Sequence, residues 1–444
     1  MKIYKFKKYI ILGIISAILI IFPMESWATP SFARQTKLPC SSCHTIFPEL
    51  NSFGRYFKLS GYTLVGEIQV DDTSKNVDID LIKNPPVSLM MQASYTRVLK
   101  EQPGTQNNNV SLPQQLSLFF SGKIAPNIGG FIQVSYDDKG ASFGIDNIDL
   151  RYANKTNLWS ENLLYGVTLN NNPTVQDIWN STPAWGFPYV SSSVTASPIT
   201  STLIEGRLAQ SVAGFGAYAL FNNLLYGEFS IYRSAQQGGA HPADSTSFGI
   251  IKSLAPYWRF ALQKQLADQY IEIGTFGIST EMYLAGIAGL TDKYTDIGFD
   301  LNYEKSFGDN QFTAHTSFIH EKRILEATFS SNESLNQSLS LNSFKIVGNY
   351  YLNHHVGFSL GYFSITGDGD AVLYAPDKFS GSSNGLPDSR GFIAEFSYLP
   401  WLNTKFSVQY VWYSKFNGSI DNYDGTGRNA SDNNSLSVIM WIAF

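Results

Sequence analysis

From Val87 onward the chain alternates apolar and polar side chains with a period of two. In Val87–Val98 the residues Ser88, Met90, Gln92, Ser94 and Thr96 alternate with Val87, Leu89, Met91, Ala93 and Tyr95. One polar and one apolar face result, as in a half-buried strand. The pattern returns in 130–136, where Ile132, Val134 and Tyr136 share a face, and in 146–152 with Ile148, Leu150 and Tyr152. It continues in 295–303 with Ile297, Phe299 and Leu301, and in 344–352 with Ile346, Tyr350 and Leu352. The last run puts Leu436, Val438, Met440, Ile442 and Phe444 on one face, and a carboxy-terminal aromatic on such a strand is a familiar bacterial outer-membrane feature.

The connections alternate too. Short ones at 125–127, 353–355 and 399–402 are interleaved with long polar ones near 99–112, 171–204, 321–339, 367–389 and 417–433. Transmembrane barrels have short periplasmic turns and longer outer loops. The pattern therefore predicts an all-β fold, a transmembrane antiparallel β-barrel over residues 85–444. It has 16 strands if Ser247–Gln263 and Tyr270–Ala285 are one strand each, and 18 if both split. A soluble two-sheet sandwich also alternates, but it does not require this loop asymmetry. Beyond the amino-terminal segment no run of 18 uninterrupted apolar residues predicts a transmembrane helix.

Composition agrees with the barrel. Charged residues make up 15% and aromatic residues 14%, with 25 Tyr and 31 Phe, which suits a lipid-facing band edged by aromatic girdles. The net charge of −5 gives no sign of nucleic-acid binding. At the amino terminus, Lys2, Lys5, Lys7 and Lys8 precede an apolar run from Ile10 to Phe22 and a small-residue site at Ser26-Trp27-Ala28. This predicts a cleaved export signal over 1–28; the run is short for a membrane-spanning anchor, the other reading.

Between the signal and the barrel lies Cys40-Ser41-Ser42-Cys43-His44, which holds the chain's only two cysteines. Two thiols at this spacing add to the two vinyl groups of one haem, and the adjoining histidine becomes an axial iron ligand. The spacing thus predicts one covalently attached haem c with His44 as proximal ligand. Three other readings remain open. A redox pair expects a βαβ context, which is not evident here. A zinc site needs two further ligands, and an exported chain can also hold a structural disulfide. Residues 29–84 are read as a haem segment and linker, with Asp71, Asp72, Asp78 and Asp80 in the linker. The segment is too short for a self-sufficient core. Arg34, Arg55 and Lys58 are candidates to meet haem propionates, and Phe47, Phe53 and Phe57 to wall the haem.

Phe32-Ala-Arg-Gln-Thr, Cys40-Ser-Ser-Cys-His, Phe47-Pro-Glu-Leu, Phe53-Gly-Arg and Phe57-Lys-Leu-Ser-Gly-Tyr together resemble the amino-terminal haem segment of the fused monohaem cytochrome-porins. The resemblance continues in Asn172-Pro-Thr-Val-Gln-Asp, Thr182-Pro-Ala-Trp-Gly-Phe-Pro, Ala255-Pro-Tyr-Trp-Arg and Tyr294-Thr-Asp-Ile-Gly-Phe-Asp. Those bacterial outer-membrane proteins are best known as Fe(II) oxidases. The resemblance implies 16 strands and strengthens an Fe(II)-oxidising reading.

No Met and no His other than His44 falls between Thr29 and Leu89, so a usual sixth iron ligand has to come from the barrel. Met90, on the polar face of its strand, is the first candidate. His315, which shares a face with Gln311, Thr313 and Ser317, and the His354-His355 pair follow; His320 belongs to the opposite face, and His241 to an outer loop. A barrel ligand would require the haem segment to plug the pore. The function expected is electron transfer from extracellular Fe(II) through one haem c to a periplasmic carrier, a soluble cytochrome c or cupredoxin. A solute porin with a haem-bearing redox gate and an outward electron conduit are the alternatives. Outer-loop Asp368, Asp370, Asp421, Asp424 and Asp432 are candidates to attract the cation, and the segment 171–204, with Trp179, Trp185, Phe187 and Tyr189, to narrow the pore. No catalytic triad or carboxylate pair suggests hydrolysis.

Overall fold

A computed structural model of the chain describes residues 31–45, 48–63, 86–102, 104–137, 142–182, 192, 194–235, 249–284, 289–377, 379–401 and 403–444. The signal segment, the linker aspartates, Phe47, Trp185, Phe187, Tyr189 and His241 lie outside these residues.

The alternating runs form β1 (Val87–Val98), β2 (Asn109–Ala125), β3 (Ile128–Asp137), β4 (Ser142–Leu158), β5 (Glu161–Asn170), β6 (Val212–Phe221), β7 (Leu225–Ser234) and β8 (Ile250–Ile251). They continue as β9 (Ala255–Leu266), β10 (Gln269–Tyr283), β11 (Asp292–Phe307), β12 (Asn310–Leu325), β13 (Ser338–Leu352), β14 (Val356–Gly367), β15 (Ser389–Trp401), β16 (Thr404–Lys415) and β17 (Ser435–Ala443). Neighbours pair antiparallel, and β17 pairs back onto β1 from Met90 opposite Ala443 to Val98 opposite Ser435, which closes the sheet. Both β8 and β9 pair with β10, so they are two parts of one stave, and the described barrel has 16 staves. The unbroken run of β10 decides for 16 over 18.

Strand parity sorts the side chains as in a membrane barrel. Phe215, Phe229, Phe260, Ile273, Phe299 and Leu360 face outward and are 55–58% exposed. On the inward face Arg151, Arg259, Glu272, Asp300, Glu321 and Lys405 are buried. An apolar exterior around a polar interior is costly in water and favourable in lipid. On the outward face of β14–β16 aromatic rings contact one another, Tyr362, Phe392 and Trp412 nearer the long loops and Phe358 and Phe396 nearer the short turns.

One end carries the short turns at 126–127, 159–160, 222–224, 267–268, 308–309 and 353–355, and the long connections lie at the other. Trp159-Ser160, Asn222-Asn223 and Asn353-His354 all have positive φ, which gives the tight hairpins their twist. This explains why asparagine recurs there and assigns His354 a turn-forming place.

Residues 31–45 and 48–63 lie against the inward-facing wall. They contain α1 (Ser31–Thr36), a 3-10 turn (Cys40–Ser42) and α2 (Ser52–Leu59). Their apolar core is small: Phe32 stacks on Tyr62 with centroids 5.3 Å apart, Phe57 meets Phe32 edge-on at 5.3 Å, and Tyr62 reaches Phe131 of β3 at 6.5 Å. The barrel wall completes what so short a segment cannot bury alone. Gly129 of β3 permits the approach, because a Cβ there would collide with the backbone carbonyl of Gly61.

Candidate cofactor cavity

The Cys40–His44 turn is stitched to α2. Asn51 caps that helix by accepting from the Gly54 amide at 2.9 Å, and its own amide group donates to the carbonyls of Ser42 at 3.1 Å and Ser41 at 3.3 Å. The backbone N–H of Asn51 donates to the Cys43 carbonyl at 2.9 Å. Gly54 is required by this packing, since a Cβ would run into the Cys43 backbone. Both cysteines are free and half-buried. Burial pushes both thiols up, that of Cys43 to about 11. Reactive redox cysteines have depressed values instead, so this environment does not favour a thioredoxin-like pair.

His44 is held by one ring nitrogen: its Nδ1 lies 3.2 Å from the Glu49 carbonyl. Burial lowers its pKa, so the ring is neutral near pH 7, and a proton on Nδ1 leaves Nε2 as the basic nitrogen. This is the tautomer a metal-ligating histidine needs, with a backbone carbonyl as its outer partner.

Cys40, Cys43 and His44 line a cavity of about 880 Å³ inside the barrel. That volume suits a cofactor, for which pockets of roughly 300–1,000 Å³ are usual. Met90 and His315 line the same cavity, whereas His354 and His355 do not. Met90 is buried at 3% exposure on the inward face of β1. His315 shares its Nδ1 with Asn302 Oδ1, and its covered Nε2 makes no hydrogen bond and lies 4.0 Å from Glu49 Oε2. Burial and the nearby Glu304 push the Glu49 carboxyl up to about 7. Part of the cavity wall is apolar, with Phe363, Ile365, Ile393, Val411 and Trp441 on inward positions of β14–β17. A water-filled solute channel has a polar lining there.

The basic candidates are engaged by the barrel. Arg34 donates to the Val87 carbonyl of β1. Arg55 pairs with Glu304 of β11 at 2.5 Å, donates to the Leu50 carbonyl at 2.7 Å and covers the Tyr270 ring at 4.2 Å. Lys58 donates to the Val175 carbonyl, lies 3.9 Å from Asp149 and lines the cavity, as Arg34 and Arg55 do not. Phe57 lines it too, while Phe53 is exposed.

From the long-loop end, residues 171–182 and 194–211 also turn into the lumen. Asn172 caps a short helix, α3 (Pro173–Gln176), and Trp179 is buried and donates to Tyr270 at 2.7 Å. Asp177 joins Glu272 and Asp300 around Arg259, which lies over the Trp179 ring at 4.5 Å. The amides of Leu203 and Ile204 donate to Glu321 and Asp296 of the wall. The outer-loop aspartates serve the loops. Asp370 accepts from Ser334 and from the amides of Leu335, Asn336, Val372 and Leu373; Asp424 holds Thr426 and Arg428; Asp432 closes a capping box and pairs with Lys100 at 3.3 Å. Asp368 accepts from Ser340, and Asp421 is exposed. Among the described residues no group of three His, Cys, Asp or Glu side chains converges on a metal site.

Sequence reasoning missed Asn51, Gly54 and Glu49 as the residues that set the motif. An Asn directly before the helix that starts at Ser52 was a readable cap signal; the close approach to Gly54 was not readable. The closed register, the outward apolar face and the one-sided loops define the class: a transmembrane β-barrel of the outer-membrane type. No family profile and no curated protein sequence matches the chain. Among solved structures it is similar to OmpT of Vibrio cholerae in its trimer form, at 9% identity and TM-score 0.44 over 81% of this chain and 98% of that one. It is similar also to OmpF of Salmonella typhi, at 12% identity and TM-score 0.45 over 81% and 97%. The outer-membrane channel DcaP of Acinetobacter baumannii matches at 14% identity and TM-score 0.44 over 81% and 96%.

Proposed function

We propose that the protein is an outer-membrane c-type cytochrome built into a porin-like barrel, carrying electrons from extracellular Fe(II) through one haem c to a soluble periplasmic carrier. The observation behind this reading is that Cys40, Cys43 and His44 share one cavity inside the barrel with Met90 and His315. Cys40 and Cys43 would hold the haem by thioether bonds, and His44 Nε2 would take the proximal position. Met90, buried on β1, is our first candidate for the distal one. Bound there, the haem supplies a reversible one-electron couple matched to Fe(II). The barrel wall and the haem segment then replace the lipid that would separate donor from acceptor. In this reading residues 31–63 act as a plug, anchored through Arg55 to Glu304 and through Tyr62 to Asp149 at 2.6 Å. Oxidation outside also keeps the poorly soluble ferric product out of the periplasm.

The test is stopped-flow absorption of the oxidised, detergent-solubilised holoprotein mixed with Fe(II), at a pH where uncatalysed oxidation is slow. A reduced c-type spectrum should develop rapidly, and Met90→Ala should alter the oxidised spectrum. A haem that dithionite reduces but Fe(II) leaves oxidised would rule the iron donor out. The direction of flow would then be open to an external acceptor.

A further inference from the structure

A chain of four aromatic rings runs from the cavity wall into the loop between β16 and β17. Phe363 and Tyr413 line the cavity, with centroids 5.5 Å apart. Tyr413 meets Phe416 edge-on at 4.8 Å, and Phe416 meets Tyr423 at 4.8 Å. Phe416 and Tyr423 are fully buried, and Tyr423 lies directly beside the exposed Asp421 and Asn422 at the long-loop end. All three spacings fall within the contact range of aromatic pairs, about 4.5–7 Å.

We propose that Tyr423, Phe416, Tyr413 and Phe363 form the bridge by which electrons cross from the outer loops to the cavity; this rests on the reading that the cavity holds a haem. Electron tunnelling falls off far more steeply across gaps than through packed matter, and the π orbitals of contacting rings lie nearer the tunnelling energy than those of saturated side chains, so each ring couples better than a leucine of similar size would. The step balances simply. Fe(II) outside loses one electron and becomes Fe(III), ferric haem iron gains it and becomes ferrous, and no bond or proton changes at the rings. Tyr423 is fixed at both ends of its hydroxyl, donating to the Phe379 carbonyl at 2.7 Å and accepting from Asn433 at 3.0 Å, which holds the outer ring in place. Tyr413 needs only its ring for this role, since its hydroxyl makes one long contact, 3.5 Å, to the Ala196 carbonyl.

The holoprotein is reconstituted in liposomes with the long loops outside, and haem reduction is followed by stopped-flow absorption. Two donors are used: Fe(II), and cobalt(II) sepulchrate as a membrane-impermeant outer-sphere reductant. Phe416→Leu and Tyr413→Leu should slow reduction by more than an order of magnitude with both donors, at unchanged haem spectrum and midpoint potential. Tyr413→Phe, which keeps the ring, should keep the parent rate. Phe363→Leu, in the barrel wall away from the loop, leaves Tyr413 on the cavity and should slow reduction by a smaller factor than Tyr413→Leu; an equal or larger loss at Phe363 overturns the order of the chain. Leucine variants that reduce at the parent rate overturn the proposal, as does a loss of rate accompanied by a shifted spectrum or potential. If Fe(II) leaves the parent protein oxidised while the cobalt donor reduces it in a ring-dependent way, the iron reading falls and the bridge stands.

Discussion

At the residue scale the Cys40–His44 motif depends on neighbours that have no redox chemistry. Asn51 ties three backbone groups of the motif to the start of α2, and Asn51→Ala should cost that helix about 1 kcal/mol. Faster hydrogen exchange of the amides at 53–55 would register it. On the proposed reading that the motif carries haem c, the double variant Cys40→Ala/Cys43→Ala should lose the haem staining of the parent on denaturing gels while the barrel still forms. Lys58 supplies a pH test. Burial is the main cause that lowers its ammonium to about 8 from an ordinary 10.5, so the docked segment disfavours the protonated form. That contribution to docking is complete above about pH 10.5 and is lost as pH falls through 8. Limited proteolysis of residues 52–63 should therefore slow as pH rises across this window, and Lys58→Met should remove the dependence.

At the element scale, alternation is the strongest signal in the chain, and it was legible because side chains of a strand point to opposite faces regardless of what surrounds them. It placed Met90 and His315 inside and His320 outside, as the structure does. Strand ends were less legible: β12 runs on to Leu325, where a loop was expected from 321, because the outer parts of the strands are polar on both faces. Leu360 lies in the middle of β14 on the lipid side at 58% exposure. Leu360→Arg should destabilise the barrel by about 2–4 kcal/mol near the bilayer midplane, measurable as a lower unfolding temperature in heat-modifiability gels.

At the scale of the whole molecule, residues 31–45 and 48–63 reach the lumen wall from β1 to β13, and 171–182 and 194–211 enter from the other side. A barrel occupied in this way should pass little ionic current across a planar bilayer. Deleting residues 31–63 should raise the conductance severalfold; high conductance of the intact protein would favour the porin alternative. The sequence by itself determined the strand alternation, the even stave count and the loop asymmetry, together with the pairing of two thiols with an adjacent histidine. These rest on local periodicity and spacing, which no distant contact needs to specify. Only the tertiary structure decided that His44 leans on Glu49, that Arg55 meets Glu304, and that Trp179 and Leu203 turn inward. The same holds for the aromatic line from Tyr423 to Phe363. The contacts of Arg55, Trp179, Leu203 and Phe363 join residues far apart along the chain and follow from closing the sheet, after which the inward-facing polar and aromatic groups can be satisfied only by one another and by the segments that enter the lumen; the contacts of His44 with Glu49 and of Phe416 with its neighbours are local, but their geometry depends on the packing around them.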